Sequence, residues 1–271
     1  LDVPVPEADP LPDPATPRRA VVLLSHALDA VTLSRHAALR SALAATHDVV
    51  LALTEPLGAE AAALGLADVE VLAPYEIFLP DYGAKAASRS ILPGNNDLAL
   101  LAFARRRPGY AHVWMVEYDV FFARGAGLLA RLDAASGAEL ITATRPRNRA
   151  ESPDWYWWPT LRHAPSEPRG GLRCAALLCI ARYGARLIAE LDAAYRAGWE
   201  GHFEAVVPTI AARRGMWMEA LNTVALRAIG RRVTTPKSFH HNACEPSPAA
   251  RIYHPVKTLE AEAALRAALG R

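Results

Sequence analysis

AHVWMVEYDVFF (residues 111–122) decides how this chain is read. Its apolar section, HVWMV, runs without polar interruption into Glu117, Tyr118 and Asp119, so a buried strand ends in acids. Upstream, DLALLAFARRR (97–107) has the pattern of a helix that Asn96 or Asp97 can cap and that Pro108 and Gly109 end. Further back, AVVLLS (20–25) predicts a first core strand, LSRHAALRSALAAT (33–46) a helix, DVVLALT (48–54) a second strand and ADVEVLAP (67–74) a third. Downstream, GAGLLARLDAA (125–135) reads as a helix, AELITATRP (138–146) as a strand and RCAALLCIAR (173–182) as a candidate strand. ARLIAELDAAYRAG (185–198) is a further helix, and HFEAVVPTIAARRG (202–215) a helix interrupted by Pro208. Alternation of this kind implies a largely parallel sheet with helices on both faces, and such sheets place ligands at the carboxyl ends of their strands. Glu117 and Asp119 sit at such an end.

Two stretches interrupt the alternation. Residues 75–96 are loop-like, carrying Pro80, Gly83, Pro93, Gly94 and Asn95, and residues 147–171 form a long irregular segment with prolines at 153, 159, 165 and 168. A segment of that length suits a lid or a substrate loop. Residues 1–17 hold six prolines among acidic and small residues, which favours an extended arm before the domain begins near Arg18.

Composition narrows the class. At 271 residues, with 52% hydrophobic and 21% charged residues, the chain is long enough for one large core and too apolar for wholesale disorder. A formal charge of +2 gives no global field for nucleic acid, so an anionic partner must be bound locally. Cys174, Cys179 and Cys244 lack paired spacing, which points to free thiols and a cytoplasmic setting. No apolar run is long enough to span a membrane, while peripheral association with the inner face of one stays open. Only three lysines, Lys85, Lys237 and Lys257, stand against 27 arginines, so each surviving lysine draws notice.

Four groups of residues can carry chemistry. Glu117 and Asp119, two apart at a strand end, can turn into one crevice and hold a divalent cation through oxygen; the plainer alternative is a helix cap and a solvated acid. His254 and Lys257 in IYHPVK offer a metal ligand and an ammonium for a phosphate. In WEGHFEAVVPT (199–209), His202 and Glu204 lie at a helix start, where Glu204 serves either as a general base or as a favourable first-turn acid. DWYWW (154–158) supplies Trp155, Trp157 and Trp158, either a stacking platform for a sugar ring or a small core that pins the loop. His240, His241 and Cys244 suggest zinc but lack a fourth ligand, and no GxGxxG, Walker A, GxSxG or HExxH string occurs.

In their order and spacing, VWMVEYDVFF (113–122), GWEGHFEAVVPTIAARRG (198–215) and RIYHPVK (251–257) resemble bacterial nucleotide-sugar glycosyltransferases of the GT-A fold. The resemblance covers about residues 18–258, leaving 259–271 as a C-terminal helix, and implies a single α/β, Rossmann-like domain with a mostly parallel sheet flanked by helices. It implies that Glu117-Tyr118-Asp119 stands where the family has Asp-x-Asp, holding Mn2+ or Mg2+ on the donor diphosphate, with His254 as a further ligand and Lys257 on the diphosphate. It also implies Glu204 as the base of an inverting transfer, with retention expected instead if Glu204 is not within reach of the acceptor. The nucleoside is expected over Ser25, His26 and Thr54 at the ends of the first strands and over Ser90 to Asn96, which brings in Asn95 and Asn96. Trp155, Trp157, Trp158 and His202 are expected to face the acceptor, a glycan, a lipid-linked or a small-molecule hydroxyl. The expected reaction is sugar transfer from a nucleoside-diphosphate donor, a UDP-sugar being favoured. The competing readings are a metal-dependent nucleotidyltransferase or phosphohydrolase, against which SHALDAVTLSRH (25–36) offers no basic glycine-rich phosphate loop, and a non-catalytic carbohydrate-binding protein.

Overall fold

A computed structural model describes residues 17–54, 57–66, 68–166, 171–240 and 243–270. The expected Pro-rich arm therefore lies outside the described residues, as does His241. The chain begins β1 (Arg18–Ser25), α1 (Ala30–Leu43), β2 (Asp48–Thr54), α2 (Gly58–Ala63) and β3 (Val69–Leu72). It continues through α3 (Pro74–Ile77), α4 (Asn96–Arg106), β4 (Tyr110–Glu117), β5 (Phe121–Phe122), α5 (Leu128–Ala134) and β6 (Leu140–Thr142). The second half comprises β7 (Arg147–Asn148), β8 (Cys174–Ala175), β9 (Ile180–Gly184), α6 (Ala185–Arg196), α7 (Phe203–Arg213), β10 (Met218–Ala220), α8 (Leu221–Ile229), β11 (Ile252–Tyr253) and α9 (Leu259–Ala268).

The central sheet has the order β10-β6-β9-β4-β1-β2-β3, in which β9 alone is antiparallel to its neighbours β4 and β6. This is the expected α/β, Rossmann-like class: a mostly parallel sheet flanked by helices. Residues 20–25 of β1 are all buried, as a strand covered on both faces requires. Alternate side chains feed two cores. Ala20, Val22 and Leu24 pack with α4, α6 and α7 on one face, while Val21 and Leu23 pack with α1, α5 and α8 on the other. The chain passes outward from β1 to β3 and then returns to β4 on the other side of β1. The carboxyl ends of β1 and β4 therefore flank the point where strand order reverses, the place where sheets of this kind open a crevice.

Several expectations are corrected. Pro208 does not interrupt α7, because the carbonyl it leaves without an intrahelical donor, Glu204 O, accepts Ala176 N at 3.1 Å. That bond, with Cys174 N donating to Thr209 Oγ1 at 3.0 Å, docks the chain onto α7 and splits the expected 173–182 strand into β8 and β9. Residues 75–96 contain the end of α3 and a 3-10 segment over Pro80–Ala86 whose Tyr82 and Lys85 are buried. Neither Asn96 nor Asp97 is at the cap of α4: Asn95 is there and its side chain makes no capping bond, while Asn96 is turned to Glu117 and Asp97 to Lys85.

Candidate functional site

Two pieces of local structure build the site. After β4 the backbone turns, with Val120 N donating to Glu117 O at 3.0 Å, and then forms β5. β5 pairs antiparallel with β11, Tyr253 facing Phe121, so the residue after β11, His254, arrives beside Asp119. Val256 N donates to Asp119 O at 2.8 Å and His254 N to Ser238 O at 2.9 Å, which locks both strands of this ribbon. Residues 135 apart in sequence (254 − 119) thus meet at the end of the central strand.

His254 Nε2 lies 3.4 Å from both Glu117 Oε2 and Asp119 Oδ1. Ligand atoms of Glu117, Asp119 and His254 all fall within 4.8 Å of one another, the one such group of three or more found among the described residues. The donor set fits a divalent cation: two carboxylate oxygens and an imidazole nitrogen, with Asp119 Oδ1 buried and accepting no hydrogen bond. Burial works against a charged imidazole at His254, yet Cys179, Asp119 and Glu117 outweigh it and raise its pKa. Two carboxylates this close demand a positive charge, and a proton on His254 or a cation among the three can supply it. Burial pushes the Cys179 thiol itself up to about 11, so this cysteine is held neutral.

The crevice in front of this group is a cavity of about 570 Å³. Ser25 and His26 enter it from the end of β1, Asn96 from the start of α4, and Lys257 from the segment after β11. Asn96 Nδ2 donates to Glu117 Oε1 at 2.6 Å, while its buried Oδ1 has no hydrogen-bond partner. His26 stands edge-on to Tyr118 at 5.0 Å between ring centroids. The far wall, Leu72, Pro74, Ile77 and Phe78 with Ile91 and Leu92, is apolar. Ile91 and Leu92 fall in the expected Ser90–Asn96 segment, whereas the Leu72–Phe78 part of the wall is not among the expected residues, nor is Arg89, which also lines the cavity and has a positive φ of 47°. The signal available was the Pro74–Phe78 stretch itself, an apolar patch placed directly after a strand.

Other expected residues lie elsewhere. Asn95 turns away and donates to Ser90 O at 2.8 Å. Thr54 closes β2, but its side chain is outside the description. Glu204 is 9% exposed and sits behind the cleft without lining it, its Oε1 accepting Leu178 N at 3.3 Å. Burial first, then the charge of Glu117, push the Glu204 carboxyl up to about 8 against the opposing effects of the Leu178 amide and His254. His202 caps α7, its Nδ1 accepting Glu204 N at 3.3 Å, and its ring stacks on Trp157 at 3.8 Å and 7°. Burial and then Lys85 lower its pKa to about 3, so the imidazole is neutral. Trp158 is buried in the core and its edge, with Trp155, lines a separate cavity, while Trp157 lines a further small space beside His202. The aromatic cluster therefore divides: one ring pins the loop, and the others face two different spaces.

Lys85 is also buried, with Nζ 3.0 Å from Asp97 Oδ2 and 2.8 Å from Gly201 O. The ion pair ties the 3-10 segment over Pro80–Ala86 to α4, and the bond to Gly201 O ties it to the turn before α7. Among the described residues, no helix is long and apolar enough to cross a membrane.

No protein-family model and no curated protein matches the chain. Among solved structures, apo mouse xyloside xylosyltransferase 1 is similar at 13% identity, with 88% of this chain and 97% of that chain covered and a TM-score of 0.43. The inositol-1-phosphate CTP transferase of T. maritima is similar at 12% identity, with 75% and 84% covered and a TM-score of 0.36. The glucosyl-3-phosphoglycerate synthase of Mycobacterium tuberculosis, in complex with Mn2+, UDP-glucose and phosphoglyceric acid, is similar at 16% identity over 48% of this chain and 44% of its own, with a TM-score of 0.33.

Proposed function

We propose that the protein is a metal-assisted glycosyltransferase that moves a sugar from a nucleoside-diphosphate donor, a UDP-sugar being favoured, to an acceptor hydroxyl. The observation that carries this reading is the convergence of Glu117, Asp119 and His254 on one point at the carboxyl end of β4, facing a half-apolar crevice with Lys257 at its rim. Within the reading, Asp119, Glu117 and His254 hold Mn2+ or Mg2+, which when bound neutralises charge on the diphosphate oxygens. Lys257 adds an ammonium to the same charge as it develops on the leaving diphosphate. Ser25, His26 and Asn96 orient the nucleoside or ribose, with the base against the apolar wall. Asn95 and Thr54 contribute through the backbone that positions these groups.

The acceptor oxygen forms a bond to the anomeric carbon as the carbon–phosphate oxygen bond breaks, and the nucleoside diphosphate leaves with the electron pair. The acceptor proton passes to Glu204, whose raised proton affinity suits a base working near neutrality. Because Glu204 stands behind the cleft, the acceptor approaches from the α7 side, past Trp155, Trp157 and His202, while the buried Trp158 holds the loop that carries them. The proposed unit runs over residues 18–258, with the helix that follows folded back on it and a cytoplasmic location, at the membrane face where the acceptor is lipid-linked.

Phosphorus NMR of the protein with a panel of UDP-, GDP- and CDP-sugars and Mn2+ tests the reaction class. Slow release of nucleoside diphosphate, through transfer or through hydrolysis of the donor, is the expected result. Release of pyrophosphate from a nucleoside triphosphate and a sugar phosphate would instead make the protein a nucleotidyltransferase.

A further inference from the structure

Residues between 149 and 165, with Arg173, line a second cavity, of about 1120 Å³, that shares no lining residue with the carboxylate crevice. One side is aromatic. Trp158 is fixed by its indole N–H, which donates to Ser152 O at 2.7 Å, Trp155 lies half-buried beside it, and Tyr156 stands 79% exposed at the rim. The remaining wall is basic: Arg149, Arg162 and Arg173 line the cavity, together with His163 and a single carboxylate, Asp154.

None of these three guanidinium groups forms an ion pair among the described residues. Arg162 donates to the Pro159 and Leu161 carbonyls, and Arg173 Nη2 lies 3.3 Å from His163 Nε2. The nearby acid Glu151 is turned to Arg145 at 2.9 Å and leaves Arg149 uncompensated. Burial, then the charges of Arg149, Arg213 and Arg162, lower the pKa of Arg173, so the groups feel one another. Elsewhere the chain is close to neutral, +2 overall, and pairs many arginines with acids. A concave cluster of three guanidinium groups that shares its wall with one carboxylate, Asp154, and forms no ion pair among the described residues stores repulsion that a multiply charged anion relieves, and the planar fork of arginine matches phosphate geometry. A flat or apolar group attached to that anion would lie on the aromatic side.

We infer that this cavity binds a phosphorylated organic ligand, its phosphate held by Arg149, Arg162 and Arg173 and its ring or other flat part resting against Trp155, Tyr156 and Trp158. The inference does not depend on the glycosyl-transfer reading, since the site lies apart from the metal-type cluster. A phosphorylated acceptor and a phosphorylated effector present the same chemistry here.

Calorimetric titration of metal-free protein with phenyl phosphate is the direct test, with inorganic phosphate and phenol as partial probes. Phenyl phosphate should bind more tightly than either. Arg149→Ala/Arg173→Ala should weaken it about tenfold or more, since charge-assisted contacts of this kind contribute at least about 1.4 kcal/mol. Tyr156→Ala, on an exposed side chain, should weaken phenyl phosphate and leave inorganic phosphate unchanged, and Asp119→Asn should leave both unchanged. In a transfer assay, competition of phenyl phosphate with the acceptor would mark an acceptor subsite, and a change in kcat without competition would mark an effector site; both support binding here. Equal affinity in wild type and the double arginine variant, or absence of binding to the wild type, would each overturn the assignment.

Discussion

Asn96 Nδ2 donates to Glu117 Oε1 at 2.6 Å, so the first residue of α4 orients the carboxylate that ends β4. The bond leaves the other carboxylate oxygen, Oε2, directed at His254. An outer-shell amide of this kind sets where a ligand atom points without itself ligating.

Asn96→Ala should therefore weaken Mn2+ binding by about 10-fold to 100-fold while leaving the fold intact. Titration of Mn2+ monitored by calorimetry or by electron paramagnetic resonance checks this. Unchanged affinity would show that Glu117 is held by its backbone alone.

Glu204 gives a pH signature. Its carboxyl is pushed up to about 8 in the folded chain from an ordinary value of 4.5. Folding then takes up a proton between those two values. The stabilisation is fully present below the lower value and is lost as pH rises through the upper one. Urea unfolding of the wild type and of Glu204→Gln at about pH 5, 7 and 9 should show stability falling with pH more steeply in the wild type. As a base, the same group should make transfer faster as pH rises toward 8. Parallel stability curves for the two proteins would remove the raised pKa.

Lys85 and Asp97 form a buried pair, and loss of one partner strands the other's charge. Lys85→Met should destabilise by about 3–5 kcal/mol, and Lys85→Met/Asp97→Asn should recover a substantial part of that loss. Chemical denaturation measures both. A cost below about 1 kcal/mol for the single variant would place the pair among weak surface bridges.

Much of the architecture can be read directly from the chain. β1, α1, β2, α4, β4 and α6 follow from apolar runs and helical spacing, and the acids at the end of β4 stand where the sheet reverses direction. What could not be read depends on distant partners. β5 and β11 are two residues each and exist because they pair with one another, which is also what delivers His254 to Asp119. Pro208 looks like a helix breaker until Ala176 N is found on the carbonyl it leaves free. His202 and Trp157 look like ligand-facing groups in sequence, yet their rings occupy each other's faces. The Lys85 signal, a rare lysine in an arginine-rich chain, was legible as importance but not as a buried pair with Asp97.

The central claim is that Asp119, Glu117 and His254 hold a metal that in turn holds a nucleotide. Thermal unfolding with UDP, GDP, CDP or ADP, with and without Mn2+, tests it most directly in the wild type and in Asp119→Asn, because a ligand specific for the folded state raises the Tm by mass action. The account predicts that one nucleotide, UDP foremost, raises the wild-type Tm only when Mn2+ is present and that Asp119→Asn loses the response. A wild type indifferent to every nucleotide with metal, or an Asp119→Asn variant that responds as the wild type does, would contradict it.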